Sequence, residues 1–312
     1  MSSETRDIVT DETNASRTAK EQTYRAIFLA CGILSVLTTV AIIATLFSDA
    51  LTFWSEVPIE DFLLGTNWSP QIEGSYGVLP LVSATLLITF GSAVVALPIG
   101  VLTAIYLSEY ASDRTRSILK PTLEILAGVP TVVYGFFALV YVTPALGTIF
   151  PSISTFNALS ASLVVGIMII PMVSSISEDA MSAVPDSLRQ ASYGLGATKF
   201  EVSTTVVVPA AISGIFSSFI LALSRAIGET MIVTIAAGSN ARLIDPLDPF
   251  SAFLNSVEPM TAAMINIGKS DVDPGSLTYK SLFAIGLTLF AITFVMNVVS
   301  NLVAERYREE YE

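Results

Sequence analysis

Arg225 and Glu229 stand four residues apart in the stretch ALSRAIGETMIVTIAAG, Ala222 to Gly238, inside an apolar segment that begins near Ala210. Four residues is about one helical turn, so on a continuous helix the two charges share a face. A guanidinium presents a planar fork of donors matched to oxyanions and carboxylates. A charge at the centre of a bilayer costs roughly 2.5–3.5 kcal/mol on insertion scales, and pairing or a water-filled route offsets part of that cost. On physics alone two readings stay open: an ion pair that fixes helix packing, and a charge pair that lines a route for an ion. Thr230 follows directly, which gives Arg225, Glu229 and Thr230 as the candidate pathway residues.

The elements that must carry these residues are helices in a membrane. The chain has 312 residues, 52% hydrophobic and 13% charged, with a mean hydropathy of +0.68. Soluble domains carry roughly 25% charged residues. The apolar residues fall in six blocks, each long enough for a bilayer core of about 30 Å. They run over about Ala26–Phe47, Val78–Leu107, Leu123–Leu146, Ala158–Ile176, Ala210–Ala237 and Leu282–Val303. Barrel strands are about 10 residues long and alternate in polarity, so an all-α polytopic membrane protein is expected.

Lysine and arginine set the orientation. The N-terminal tail, the segments 108–122 and 177–209, and the C-terminal tail hold 11 of them; the segments 49–77, 147–157 and 238–281 hold 3. The richer set is cytoplasmic, which puts both termini inside. Pro98, Pro130, Pro144 and Pro171 read as kinks, satisfied by neighbouring helices or cavities. Span five is dense in small residues, which suits burial among helices.

The net charge of -12 argues against nucleic acid as a partner, and the acidity belongs to loops and tails. Such a surface suits high salt. The single cysteine, Cys31, forms no internal disulfide and reads as a packed or lipid-facing thiol. Residues 1–25 are polar with no visible apolar face and are expected to be a disordered tail. Glu109 and Glu124 lie near cytoplasmic span ends, where snorkelling makes a solvated role the expectation. Trp54, Trp68 and Tyr76 read as interfacial anchors, or as part of a docking surface for an external protein.

The segment EDAMSAVPDSLRQASYGLGATKFEVSTTVVVPAA, Glu178 to Ala211, carries the second signal. Leu188, Ala191 and Leu195 recur at helical spacing, and Gly194 and Gly196 permit a sharp turn between two short helices. A helix lying on the lipid interface would show the same pattern. The spacing goes further. Gln190-Ala191-Ser192, then Gly196 and Val206 to Pro209, resembles the loop signature of ABC importer permeases: Glu-Ala-Ala, three residues, Gly, nine residues, Ile, one residue, Leu-Pro. Gln replaces Glu, Ser replaces the second Ala, and Val replaces both Ile and Leu. The resemblance implies that this loop docks on a separate cytoplasmic ATPase, with Gln190, Ala191, Ser192, Gly196 and Pro209 as the coupling residues. The sequence holds no Gly-rich loop ending in Gly-Lys-Ser/Thr, so ATP hydrolysis is expected on a partner subunit.

The stretch SRAIGETM is similar to phosphate importer permeases, and more loosely to the RALGE segments of molybdate and sulfate permeases. MTAAM and GSLTYKSLFAIGLTLFAITFVMN resemble the PstC type, the first of the two phosphate permease subunits. The similarity covers about residues 75–303. It implies a type I ABC importer permease fold with six transmembrane helices, and phosphate passage at Arg225 and Glu229. It also implies as partners a second homologous permease subunit, two ATP-binding cassette subunits, an extracellular phosphate-binding protein and inorganic phosphate. No cofactor or metal is expected on this chain, which is a transporter subunit of the cell membrane rather than an enzyme. The organisation expected is a tail at 1–25, a first helix and external loop at 26–77, a permease domain at 78–304 with its coupling loop at 177–209, and a tail at 305–312. The rival readings are a molybdate, tungstate or sulfate permease, an ion-coupled secondary carrier, and a membrane scaffold or sensor.

Overall fold

The computed structural model describes residues 3–245 and 247–306. α1 (Ser3–Trp54) begins well before its apolar part. No glycine or proline occurs in residues 1–31. Extending a helix costs far less than nucleating one, so the helical backbone continues into the segment expected to be disordered. Outside the membrane come α2 (Ile59–Leu64) and a small hairpin, β1 (Trp68–Ser69) paired antiparallel with β2 (Ser75–Tyr76). Then comes α3 (Leu79–Ile105), which runs on through a π-helical turn at Tyr106–Tyr110.

α4 (Asp113–Gly128) is capped by Ser112, whose Oγ accepts from the Thr115 N–H. It does not continue into the third span. α4 and the next stretch meet at 87°, at Val129–Pro130. That stretch is α5 (Thr131–Phe137), a π-helical turn at Ala138–Val142, and α6 (Thr143–Gly147). Proline disfavours helical geometry at the residue before it, which explains a corner in place of the expected kink. Span three is therefore shorter than the block Leu123–Leu146, and α4 is a separate arm.

α7 (Ala158–Ser182) crosses back, capped by Asn157, and leads into α8 (Asp186–Gly194) and α9 (Lys199–Glu201). A π-helical turn at Val202–Val207 joins α10 (Val208–Ala210), and a 69° bend separates this stretch from α11 (Ile212–Ile227). α12 (Met231–Ala236), α13 (Pro249–Phe253), α14 (Met260–Lys269) and α15 (Leu277–Arg306) complete the chain. Among the described residues four helices are long and apolar enough to cross a membrane, Lys20–Trp54, Leu79–Tyr110, Ala158–Ser182 and Leu277–Val299, and the number rises to six when each bent pair of helices is counted as one span. Beyond Arg306 the expected tail lies outside the described residues.

The core is the seam between α3 and α7. On α3 the buried residues Ala84, Ile88, Ser92, Ala96, Gly100 and Ala104 recur every four positions. Small side chains let two backbones come together in lipid, where dispersion and close packing replace the hydrophobic effect. A Cβ on Gly100 would lie 2.6 Å from Val173 Cγ1, so only glycine fits that approach. Ser177 and Ser218 hydroxyls meet at 2.9 Å and tie α7 to α11.

The loops sort into two ends, as their charges predict. At the external end, Tyr76 hydroxyl meets Thr278 Oγ1 at 3.2 Å and Ser154 N–H donates to the Leu254 carbonyl. At the cytoplasmic end, ion pairs bridge α4 to α7 and the end of α3 to α8. Trp68 is not the interfacial anchor expected of it, and Trp54 and Tyr76 are half-buried beside it. Trp68 is buried with Phe53 and Phe62 in a small external core that binds the top of α1 to the hairpin.

Candidate functional site

The apolar block Ala210–Ala237 is broken between the two charges. α11 ends at Ile227, where Gly228 and Glu229 N–H groups donate to Ser224 and Ala226 carbonyls. The helix restarts at Met231. Glu229 makes the restart. Its Oε1 accepts from the N–H groups of Met231 at 3.0 Å and Ile232 at 3.2 Å, which satisfies donors that the first turn of α12 would otherwise leave open. Its backbone carbonyl accepts from Thr261 Oγ1 on α14 at 2.7 Å. The other carboxylate oxygen, Oε2, stands 3.6 Å from Arg225 Nη1.

The i, i+4 spacing thus joins the right residues for an incomplete reason. The pair meets across a break, and not along one helical face. Glu229 is 2% exposed whereas the Arg225 side chain is 46% exposed. The carboxylate is fixed by the fold; the guanidinium is free to reorient. Thr230 sits at the junction, with its hydroxyl turned back to the Gly228 carbonyl at 3.2 Å.

Arg225 faces a cavity of about 390 Å3. Apolar side chains such as Leu123, Met168 and Met172 form most of its wall, and Lys120, Glu124 and Glu178 are its other charged residues. Apolar walls lower the local dielectric and strengthen whatever attraction the cations exert. Lys120 and Glu178 carry no signal in the sequence as pathway residues. They stand in segments read only for topology, on helices whose relative placement no single sequence states.

The loop at 177–209 forms two short helices about a turn, the shape its spacing predicts. α8 ends at Gly194, and Gly196 takes φ +90°, the left-handed region that glycine occupies without strain. Only Gly196, and not Gly194, makes the turn. Thr198 and Glu201 form a capping box at α9. The Thr198 N–H and hydroxyl together hold the Glu201 carboxyl below its ordinary range. Gln190, Ala191 and Gly196 are exposed, Ser192 is half-buried with its hydroxyl on the Leu188 carbonyl, and Pro209 opens α10. The expected apolar stripe splits in two directions. Leu188 packs inward, while Leu195 is 91% exposed.

Arg189 fastens this loop to the spans. Its Nη2 donates to Glu109 Oε1 at 3.0 Å and to the Met181 carbonyl at 2.8 Å, and its Nη1 reaches the Val184 carbonyl and Asp186. The Glu109 side chain is 6% exposed, which corrects the solvated role expected for it. The π-helical turn at Tyr106–Tyr110 places Glu109 against α8, and the sequence gives no sign of that extra residue in the turn.

The bundle carries a two-helix loop pinned to the spans at its cytoplasmic end and a charge pair at a break inside a span. The fold is that of ABC importer permeases. The chain belongs to the family described as "Binding-protein-dependent transport system inner membrane component", whose pattern matches residues 96–309. It is a multi-pass cell-membrane permease subunit of an ABC importer, in which ATP hydrolysis lies on separate subunits. "Probable ABC transporter permease protein YqgH" of Bacillus subtilis (strain 168) is 33% identical to it over 288 residues, covering 90% of each chain. "Phosphate transport system permease protein PstC" of Xylella fastidiosa (strain Temecula1) is 32% identical over 266 residues, covering 78% of each chain. Among solved structures, a bacterial ABC transporter involved in the import of the acidic polysaccharide alginate superposes with a TM-score of 0.55 at 14% identity, over 88% of this chain and 96% of that one. That likeness concerns the fold alone.

Proposed function

We propose that this chain is one of two permease subunits of an ATP-driven phosphate importer, and that phosphate passes over Arg225. The observation that carries the reading is the half-committed Glu229. One of its oxygens holds the start of α12, and the other stands near Arg225 without a tight bond. Similarity to PstC proteins supports the choice of anion.

The chemistry follows from that asymmetry. Phosphate near neutral pH is a mixture of mono- and dianion, and a guanidinium binds its oxygens through paired donors. At 3.6 Å the Arg225–Glu229 pair is loose and its guanidinium half exposed, so an arriving anion takes the place of Glu229 Oε2 on Arg225. The carboxylate left behind keeps its two backbone N–H donors and has no need to follow. When the anion leaves, Oε2 takes Arg225 back, so the empty pathway does not become a deep anion trap.

A second homologous permease chain completes the pathway in this scheme. Two ATPase subunits dock on the loops carrying Gln190, Ala191, Ser192, Gly196 and Pro209. An external phosphate-binding protein delivers the anion. Closure of the ATPases pushes α8, and Arg189 passes the displacement to α3 and α7.

The test is uptake of labelled phosphate by the reconstituted complex, with sulfate and molybdate as competing substrates. Loss of a charge-assisted contact at Arg225→Ala lowers phosphate uptake about 10–100-fold. Glu229→Gln keeps an acceptor for the Met231 and Ile232 N–H groups, so the complex assembles, and uptake falls because the amide no longer returns Arg225. Normal uptake by Arg225→Ala would overturn the role of the arginine. Uptake of sulfate or molybdate in place of phosphate would overturn the choice of anion.

A further inference from the structure

Glu178 is fully buried near the cytoplasmic end of α7, and two cations of one helix hold it. Arg116 Nη2 pairs with Oε1, and Lys120 Nζ pairs with Oε2 at 2.7 Å. Lys120 also stands 3.4 Å from Asp179 Oδ1. Both cations sit on α4, one turn apart, and α4 has no buried residue of its own. The arm is therefore held by charge more than by apolar packing. A buried carboxylate that lost both partners would be strongly destabilising, so one of the two has to remain on it.

The two cations differ in what else they face. Lys120 lines the cavity that Arg225 lines, and Arg116 does not. Lys120 and Arg116 both line a second, outer cleft of about 370 Å3, together with Asp113, Ser117, Pro121 and Glu124. Lys120 and Glu124 are the charged residues common to the inner cavity and the outer cleft. They stand in the wall between them, on the cytoplasmic side of Arg225.

From this arrangement we propose that Lys120 is a second cationic station for the permeating oxyanion, between the Arg225 cavity and the cytoplasmic cleft. The proposal rests on the reading of the chain as an oxyanion permease. An anion leaving Arg225 takes Lys120 from Glu178 Oε2, while Arg116 keeps Oε1 paired and α4 stays in place. Glu124 and Asp179 beside Lys120 weaken its hold on the anion, so the station does not become a trap. The device repeats the one at Arg225: a cation held by a carboxylate that has a second, permanent partner.

The experiment is uptake of the carried anion into proteoliposomes holding the whole complex, with ATP hydrolysis stimulated by the binding protein measured in parallel. Lys120→Met lowers uptake about tenfold or more while ATP hydrolysis persists, and Lys120→Arg restores most of it. Arg116→Lys, which keeps a cation on Glu178 Oε1 while Lys120 is taken, leaves uptake within about threefold. Loss of stimulated ATP hydrolysis in Lys120→Met, in step with the loss of uptake, would reduce the cluster to a mechanical latch and overturn the station. Normal uptake by Lys120→Met would overturn it too. If Lys120→Met fails to assemble, the paired neutral variant Lys120→Gln with Glu178→Gln decides: assembly with lost uptake supports the station, and normal uptake refutes it. The series is run with phosphate, sulfate and molybdate. A wild-type complex that carries another oxyanion refutes the phosphate reading, and the Lys120 variants measured on that oxyanion still decide the station.

Discussion

Glu229 and Glu258 are two buried carboxylates with opposite surroundings. Glu229 has two backbone donors on one oxygen and a cation near the other. Glu258, in the external loop before α14, has the Asn266 side-chain amide at 2.6 Å, and no cation pairs with it among the described residues. Burial pushes the Glu258 carboxyl up, and the Asn266 hydrogen bond pulls it only part of the way back. A carboxyl whose pKa is higher in the folded than in the unfolded state stabilises the fold below its unfolded value. That contribution disappears as pH rises through the folded value. Thermal unfolding of the complex followed from pH 4 to 8 should therefore show the external end weakening as pH rises. Glu258→Gln should flatten that trend and raise the melting temperature at neutral pH. An unchanged pH profile in the variant would show that Glu258 is ionised and satisfied in place.

At the scale of the element, the joints matter more than the spans. Arg189 binds α8 to the carbonyls that end α7 and to Glu109 at the end of α3, so the coupling helix cannot move without drawing two spans with it. Glu109→Gln or Arg189→Met should leave the complex assembled and hydrolysing ATP, while anion uptake per ATP falls severalfold. Unchanged stoichiometry would place the transmission elsewhere. The loop itself was legible in the sequence, because Ala191, Gly196 and Pro209 constrain backbone shape through their spacing. The break at Gly228 was not. Its apolar run is continuous, and the residue that restarts the helix is a glutamate whose capping role depends on where its side chain turns. Pro130 announced a disturbance, but whether the chain kinks or turns a corner depends on α4 finding Glu178, a contact made 58 residues away.

At the scale of the molecule, hydropathy and the distribution of lysine and arginine defined the spans and their direction. The contacts between loops agree with that orientation. Substituted cysteines in a Cys31→Ser background should report it directly. A cysteine at Glu73 should react with a membrane-impermeant reagent from outside in intact cells. One at Lys199 should react only after the membrane is opened. Reversed labelling would invert the topology and move the cation cluster of α4 to the wrong side for release. Convergence is the property of the whole molecule that stayed hidden in the sequence: Lys120, Glu178 and Arg225 come from three helices and share one cavity only after the bundle closes.

The π-helical turns at Tyr106–Tyr110 and Val202–Val207 flank the coupling loop on both sides in space, one ending the helix that presents Glu109 and one leading into Pro209. Their signature is a hydrogen bond reaching back five residues, as from the Ala111 N–H to the Tyr106 carbonyl at 2.8 Å. Each works as a one-residue insertion that rotates the downstream chain by about 100°. Homologous chains lacking either residue would align with this one across a single gap and keep every side chain named above. Their coupling loops would nonetheless present a different azimuth to the ATPase, so a chimaera joined across that gap would inherit matched sequence and mismatched gearing.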